Sequence, residues 1–149
     1  MNIKETLYNY CESFVNNKLQ TIENTIKSNQ EALGSETKSS AGDKHETGRA
    51  MLQLEMEKAG QQLQEVNHMM AVLKKVKITE ASEIIRLGSV VKTNIADYFI
   101  AISAGKIEIE NATYYAISPQ SPIGKLLIGK EKKEKIIFNN NEYIINDVL

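Results

Sequence analysis

The stretch LQLEMEKAGQQLQEVNHMMAVL, residues 52–73, decides the fold. Its apolar residues Leu52, Met56, Ala59, Leu63, Val66, Met70 and Leu73 recur at alternating steps of four and three. That spacing is the seam of a helix lying along a second helix. A helix from about Glu46 to Val76 is predicted, roughly 45 Å long at 1.5 Å per residue. Upstream, Ile3, Leu7, Cys11, Phe14, Ile22 and Ile26 form a looser stripe, with Lys18 or Leu19 covering the gap. Two narrow stripes are buried most simply against each other, which predicts an antiparallel helical hairpin over residues 1–77. Between them lies GSETKSSAGDKHETG, residues 34–48. Gly34 reads as the stop of the first helix, the polar residues 35–42 as the loop at the tip, and Asp43 as the start of the second helix.

Beyond Ile84 the period changes to two. GSVVKT (88–93), DYFIAIS (97–103), KIEIE (106–110) and TYYAIS (113–118) read as strands, with NIAD as the first turn. SPIGKLLIG (121–129) carries helix punctuation: Ser121 as N-cap, Pro122 at the first helical position and Gly129 at the end. KIIFNNNEYIINDVL, residues 135–149, reads as a hairpin around an asparagine turn. Residues 78–149 are therefore expected to form a small antiparallel β domain with one short helix, and the whole chain an α+β protein.

The 149 residues are 42% hydrophobic and 25% charged, which excludes a wholly disordered chain. Basic and acidic residues number 18 and 19, so no net field draws the molecule toward nucleic acid or an anionic membrane. Residues 1–85 carry 10 basic and 12 acidic side chains, and residues 86–149 carry 8 and 7, so neither half is a charged tail. A lone cysteine, Cys11, fits a reducing compartment, and one Cys with two His argues against structural zinc. No apolar run approaches the ~20 residues of a membrane span, and residues 1–14 lack a signal-type hydrophobic region. A cytoplasmic protein without membrane contact is the expectation.

These motifs resemble the Gre-type transcript-cleavage factors of bacterial RNA polymerase. The similarity is densest over residues 115–149, where ISPQSPIGKLLIGKE resembles the family signature and EYIINDVL its last strand. LGSVV at 87–91 resembles the family's entry to the C-terminal domain. The resemblance implies a coiled-coil hairpin followed by an FKBP-like domain that binds polymerase, with Ser121, Pro122, Ile123, Gly124 and Lys125 in the docking region. At the tip, AGDKHET matches the family's Gly-Asp, two residues, then Glu, at Gly42, Asp43 and Glu46. Lys44, His45 and Thr47 depart from the usual residues there, and EKKEK replaces a Gly-Asp turn after Lys130.

The resemblance gives Asp43 and Glu46 a role in chemistry that they do not perform alone. Transcript cleavage is phosphodiester hydrolysis at the polymerase's own two-metal site. Extra carboxylates brought there recruit the weakly held Mg²⁺ and orient water, and hard oxygen ligands suit that ion. An i, i+3 pair lies on one helical face. Read without the resemblance, the same pair is a capping box, with Asp43 as N-cap and Glu46 reaching back. Between Glu36 and Arg49 three acids (Glu36, Asp43, Glu46) face three bases (Lys38, Lys44, Arg49), a neutral tip. His45 reads as an exposed loop residue, His68 as a solvated one, and Met56 and Met70 as seam. KEKKEK (130–135) reads as a solvated turn.

The expectation is a monomeric, non-enzymatic elongation factor that enters the polymerase's secondary channel, approaches the nascent RNA 3′ end and stimulates cleavage of backtracked RNA. The alternative, favoured by Lys44 and Arg49, is a Gre-like channel regulator that inhibits or modulates without cleavage. An FKBP-like prolyl isomerase is disfavoured by the absence of tryptophan. A coiled-coil adaptor would leave SPIGKLLIG unexplained.

Overall fold

The structure, a computed structural model, describes the backbone of residues 2–38 and 42–149 and the side chains of residues 2–35 and 47–149. Two long helices come first, α1 (Ile3–Lys38) and α2 (Gly42–Lys75). Then follow β1 (Val90–Thr93), β2 (Asp97–Ile100), β3 (Gly105–Ile109), β4 (Ala112–Ile117), the short α3 (Pro122–Leu127), β5 (Lys135–Phe138) and β6 (Asn141–Val148). The fold is α+β: a helical hairpin followed by a six-stranded, mostly antiparallel sheet with one short helix.

The loop expected at 34–48 is shorter than that. α1 runs through Gly34 to Lys38, and α2 is already helical at Gly42. Gly34 costs about 1 kcal/mol against Ala inside a helix, and no proline follows to end α1, so the good helix formers Glu36 and Lys38 carry it on. What the sequence read as loop at 39–41 lies outside the described residues.

The chain divides into two compact units, Met1–Phe14 with Met70–Leu149, and Val15–Met69. The sheet therefore shares its unit with the opening turns of α1 and the closing turns of α2, whereas the sequence placed the boundary near residue 77. Two long-range bonds tie the start of α1 to the end of α2 and to the segment that follows it. The Tyr8 hydroxyl donates to the Leu73 carbonyl at 3.3 Å, and the Lys4 ammonium donates to the Glu80 carbonyl at 3.3 Å.

Within Val15–Met69, Val15, Ile22 and Asn29 are buried at seven-residue steps on α1, as are Ala59 and Val66 on α2. Val15 takes the place in the seam expected for Phe14, which is only half-buried. Between Val15 and Ile22, Lys18 and Leu19 are both half-buried and cover the intervening position of the seam, as expected. Leu52, Met56 and Leu63 are half-buried on the expected side of α2.

The strand order is β3-β4-β2-β1-β6-β5. All neighbours are antiparallel except β2 and β4, which pair in parallel with Tyr98 opposite Tyr115. The parallel pair arises because β3 takes the edge and β4 returns between β3 and β2. β5 and β6 form the expected hairpin, with Asn139 and Asn140 at φ 50° and 64°. Two successive positive φ values are what a two-residue turn of the twist-matching kind requires. One face of the sheet, with Val91, Tyr98, Ile100 and Ile145, packs on Ile123 and Leu127 of α3 and on Ile85. Each such buried aliphatic contributes about 1.5–3 kcal/mol. No described helix is long and apolar enough to cross a membrane.

Candidate functional site

Two places carry the residues singled out in the sequence. The first is the start of α2. Asp43 follows the first helical residue, Gly42, so its backbone is already helical. A cap is made by a side-chain oxygen that accepts an N–H of the first turn, and the Asp43 side chain lies outside the described ones. Asp43 and Glu46 share a face of one helical turn by their i, i+3 spacing, a Cβ separation of about 5–6 Å. Their side chains, with those of Lys44 and His45, lie outside the described ones.

The second place is α3 and its flanks. The Ser121 hydroxyl donates to the Ser118 carbonyl at 2.6 Å and accepts from the Gly124 N–H at 3.2 Å. Ser121 is thus the N-cap, with extended backbone (φ −65°, ψ 156°), and Pro122 opens the helix where a missing N–H costs nothing. At the other end Gly129 has φ 85°, and its N–H donates to the Ile85 carbonyl at 2.9 Å. The Ile85 N–H returns a bond to the Lys130 carbonyl at 2.9 Å. α3 is therefore clamped at both ends, once by its own cap and once to the segment that follows α2.

This geometry splits the five docking candidates by task. Ile123 is buried in the core against the sheet, and Gly124 is buried against the Ser118 carbonyl. Ser121 makes the cap. Pro122 and Lys125 face outward together with Leu126, and Leu126, Ile128 and Ile84 are 40%, 37% and 48% exposed. Leu126 and Ile128, absent from the sequence reading as surface residues, provide the apolar part of this outward face. Their signal was present in the run LLIG, where only one of two adjacent leucines can point inward on a single-turn helix.

The lysine-rich turn is built by its own glutamates. The Glu134 carboxylate accepts the Glu131 N–H at 2.5 Å, and the Lys133 N–H donates to the Ile145 carbonyl at 2.7 Å. Across the sheet, Tyr115, Tyr98, Tyr143 and Phe138 form a row of rings with centroids 6.1–6.5 Å apart. Burial, followed by the hydrogen bond with Tyr143, pushes the Tyr98 hydroxyl well above the usual phenol range. A shallow cleft of about 310 Å³ lies between Ile95, Asp97, Lys106, Thr113 and Tyr115. Tyr115 is its half-exposed aromatic wall.

Two residues matter that the sequence reading passed over. Lys4 is 7% exposed, with its ammonium made easier to deprotonate by burial and then by Arg86. Its signal was its place three residues before Leu7, on the buried stripe. Asn29 is 6% exposed, and its side-chain NH₂ finds no partner among the described residues. Its signal was a seven-residue step from Ile22. Among the described residues no group of three or more His, Cys, Asp or Glu side chains gathers to hold a metal ion. Comparison of the chain with protein-family models, with curated proteins and with solved structures finds no match.

Proposed function

We propose that this chain is a Gre-type elongation factor, which binds bacterial RNA polymerase and stimulates cleavage of backtracked RNA by the polymerase's own Mg²⁺ site. The observation that carries the reading is the position of Asp43 and Glu46. Both fall in the opening turns of a 34-residue helix, at the loop end of a helical hairpin. Helices of 36 and 34 residues, about ten and nine turns, exceed what a hairpin needs to cover a small sheet. In this reading the outward residues of α3, Pro122, Lys125 and Leu126, belong to the docking face, and the hairpin tip enters the secondary channel. The acids supply oxygen ligands to a metal that the polymerase holds, and the factor has no active site of its own.

A second reading keeps the docking and drops the chemistry. Lys44 and Arg49 interleave with the acids and leave residues 36–49 with three charges of each sign. A neutral tip attracts Mg²⁺ less than an acidic one, so this protein would modulate polymerase by occupying the channel.

One assay separates the two. The protein is added to a stalled, backtracked elongation complex with Mg²⁺, and the RNA 3′ end is followed. Shortened RNA is expected. Slowed synthesis without shortening would favour the channel regulator, and no effect with no polymerase binding would refute both.

A further inference from the structure

We propose that Lys4, Lys77 and Arg86 form a binding site for a phosphate group, where the first turn of α1 meets the segment after α2. The site lies wholly within one unit and stands apart from the polymerase reading. Its basis is an imbalance of charge and of hydrogen-bonding capacity around a single carboxylate.

Glu80 is the hub. Its backbone carbonyl accepts from the Lys4 ammonium at 3.3 Å, one carboxylate oxygen lies 3.9 Å from the Lys77 ammonium, and the other 3.5 Å from the Arg86 guanidinium. Two cations thus share one carboxylate, and a third sits on the neutral backbone carbonyl of the same residue. The carboxylate distances exceed the 2.7–2.9 Å typical of a charge-assisted bond, so Glu80 satisfies neither partner fully. Elsewhere on the domain ion pairs are one to one and tighter: Lys106 with Glu108 and Lys135 with Glu142, both at 3.1 Å.

Donors outnumber acceptors in the same way. An ammonium carries three N–H donors and a guanidinium five. Lys4 is almost fully buried, and it makes one hydrogen bond to a neutral carbonyl. Burial and the nearby Arg86 both disfavour its charge. An anion placed among the three would relieve that cost at the buried cation and offset the repulsion between Lys4 and Arg86. A tetrahedral oxyanion has acceptors diverging in several directions, which suits one guanidinium fork and two ammonium groups better than a chloride or a single carboxylate does. Lys77 and Arg86 have side chains 70% and 48% exposed, so a ligand reaches them from solvent.

Two sources supply this chemistry, a free phosphate ion and a phosphate in a nucleic-acid backbone. The test titrates the full chain with inorganic phosphate, and separately with a single-stranded RNA decamer. Arg and Lys side-chain NMR signals are followed at constant ionic strength, with sodium chloride as control. Phosphate is expected to shift the Arg86 and Lys4 signals saturably where chloride does not. Arg86→Gln and Lys77→Gln, both at exposed positions, should weaken binding by about fivefold each. Glu80→Gln keeps the backbone carbonyl that holds Lys4, removes the competing anion and should tighten binding by a similar factor. RNA binding stronger than that of free phosphate, with a salt slope that falls in magnitude by about 0.7 on losing Arg86, identifies the polymer as the source. RNA binding no stronger than phosphate identifies the free ion. A response to phosphate no larger than to chloride would overturn the proposal, as would unchanged affinity in both Arg86→Gln and Glu80→Gln.

Discussion

Gly124 of α3 sits directly against the backbone carbonyl of Ser118, closer than any side chain permits. A Cβ on residue 124 would collide with that oxygen and also lie 2.8 Å from the Ser121 hydroxyl. The same two groups make the cap, since the Ser121 hydroxyl bridges the Ser118 carbonyl and the Gly124 N–H. Glycine is required here by close approach of backbone to backbone. Gly124→Ala is expected to cost at least about 1–3 kcal/mol, the range for forcing atoms into a packed site. Chemical denaturation followed by near-ultraviolet tyrosine signals would measure it. A loss below about 0.5 kcal/mol, the size of a neutral surface change, would mean that the carbonyl can move aside.

Asn29 gives a prediction of opposite sign. Its buried NH₂ has no hydrogen-bond partner among the described residues, and an unsatisfied buried group costs about 1–3 kcal/mol. Asn29→Leu, of similar volume, should therefore stabilise the hairpin by about that amount and raise its helical melting temperature. A polar residue in such a seam gives up stability to fix which residues face each other. A fall in melting temperature would show that the amide is satisfied in solution.

How far the sequence could be read follows from how local each signal is. Ser121, Pro122 and Gly129 specify α3 through bonds to near neighbours, and the cap forms as expected. The asparagine turn is equally local. The β2–β4 parallel pairing was not legible, because nothing in DYFI or ATYYAI states which strand returns between which. At Gly34 a local signal was overruled by the helix formers that follow, and α1 continues to Lys38. At the start of α2, spacing placed Asp43 and Glu46 on one helical face, but the helix expected from about Glu46 begins at Gly42. Lys4 was illegible as a buried cation because its acceptor, the Glu80 carbonyl, is 76 residues away.

The turn between β5 and β6 tests the same locality. Asn139 and Asn140 both have positive φ, a region that costs most residues about 1–2 kcal/mol and asparagine less. Asn140→Gly should be neutral or stabilising, whereas Asn139→Val, β-branched, should cost about 1–2 kcal/mol. Urea midpoints of the two variants check the sign. A Val variant as stable as the parent would argue against this turn.

Cys11 sets a pH window. Its side chain is fully buried, and burial pushes the thiol from 9.0 up to about 12. Below pH 9 both folded and unfolded chains hold the proton, so Cys11 adds no pH dependence. Between pH 9 and 12 the unfolded chain loses it while the folded chain does not, so stability falls as pH rises through that window. Tyr8 and Tyr98, both raised chiefly by burial, act in the same direction, and Lys4, lowered, acts against them. Cys11→Ala should therefore show a shallower loss of stability over pH 9 to 12 than the parent does. Equal slopes would mean that the thiol ionises in the folded state, and rapid alkylation of native protein at pH 8 would show the same.

The proposed role of the tip is tested at Asp43 and Glu46. If Asp43 and Glu46 deliver oxygen ligands to the polymerase's metal, Asp43→Asn and Glu46→Gln together should abolish RNA shortening while leaving polymerase affinity nearly unchanged. Both substitutions keep shape and remove the charge that Mg²⁺ requires. They also remove two acids from the opening turns of α2, where a negative charge stabilises the helix by about 0.3–1 kcal/mol. A drop in helix stability of that size is therefore expected in either reading and does not discriminate. Lys44→Leu does. It leaves residues 36–49 with three acids against two bases, so metal recruitment predicts more shortening at low Mg²⁺, and a steric channel regulator predicts no change. Equal shortening by the parent and the Asp43→Asn/Glu46→Gln double variant would sink the metal role.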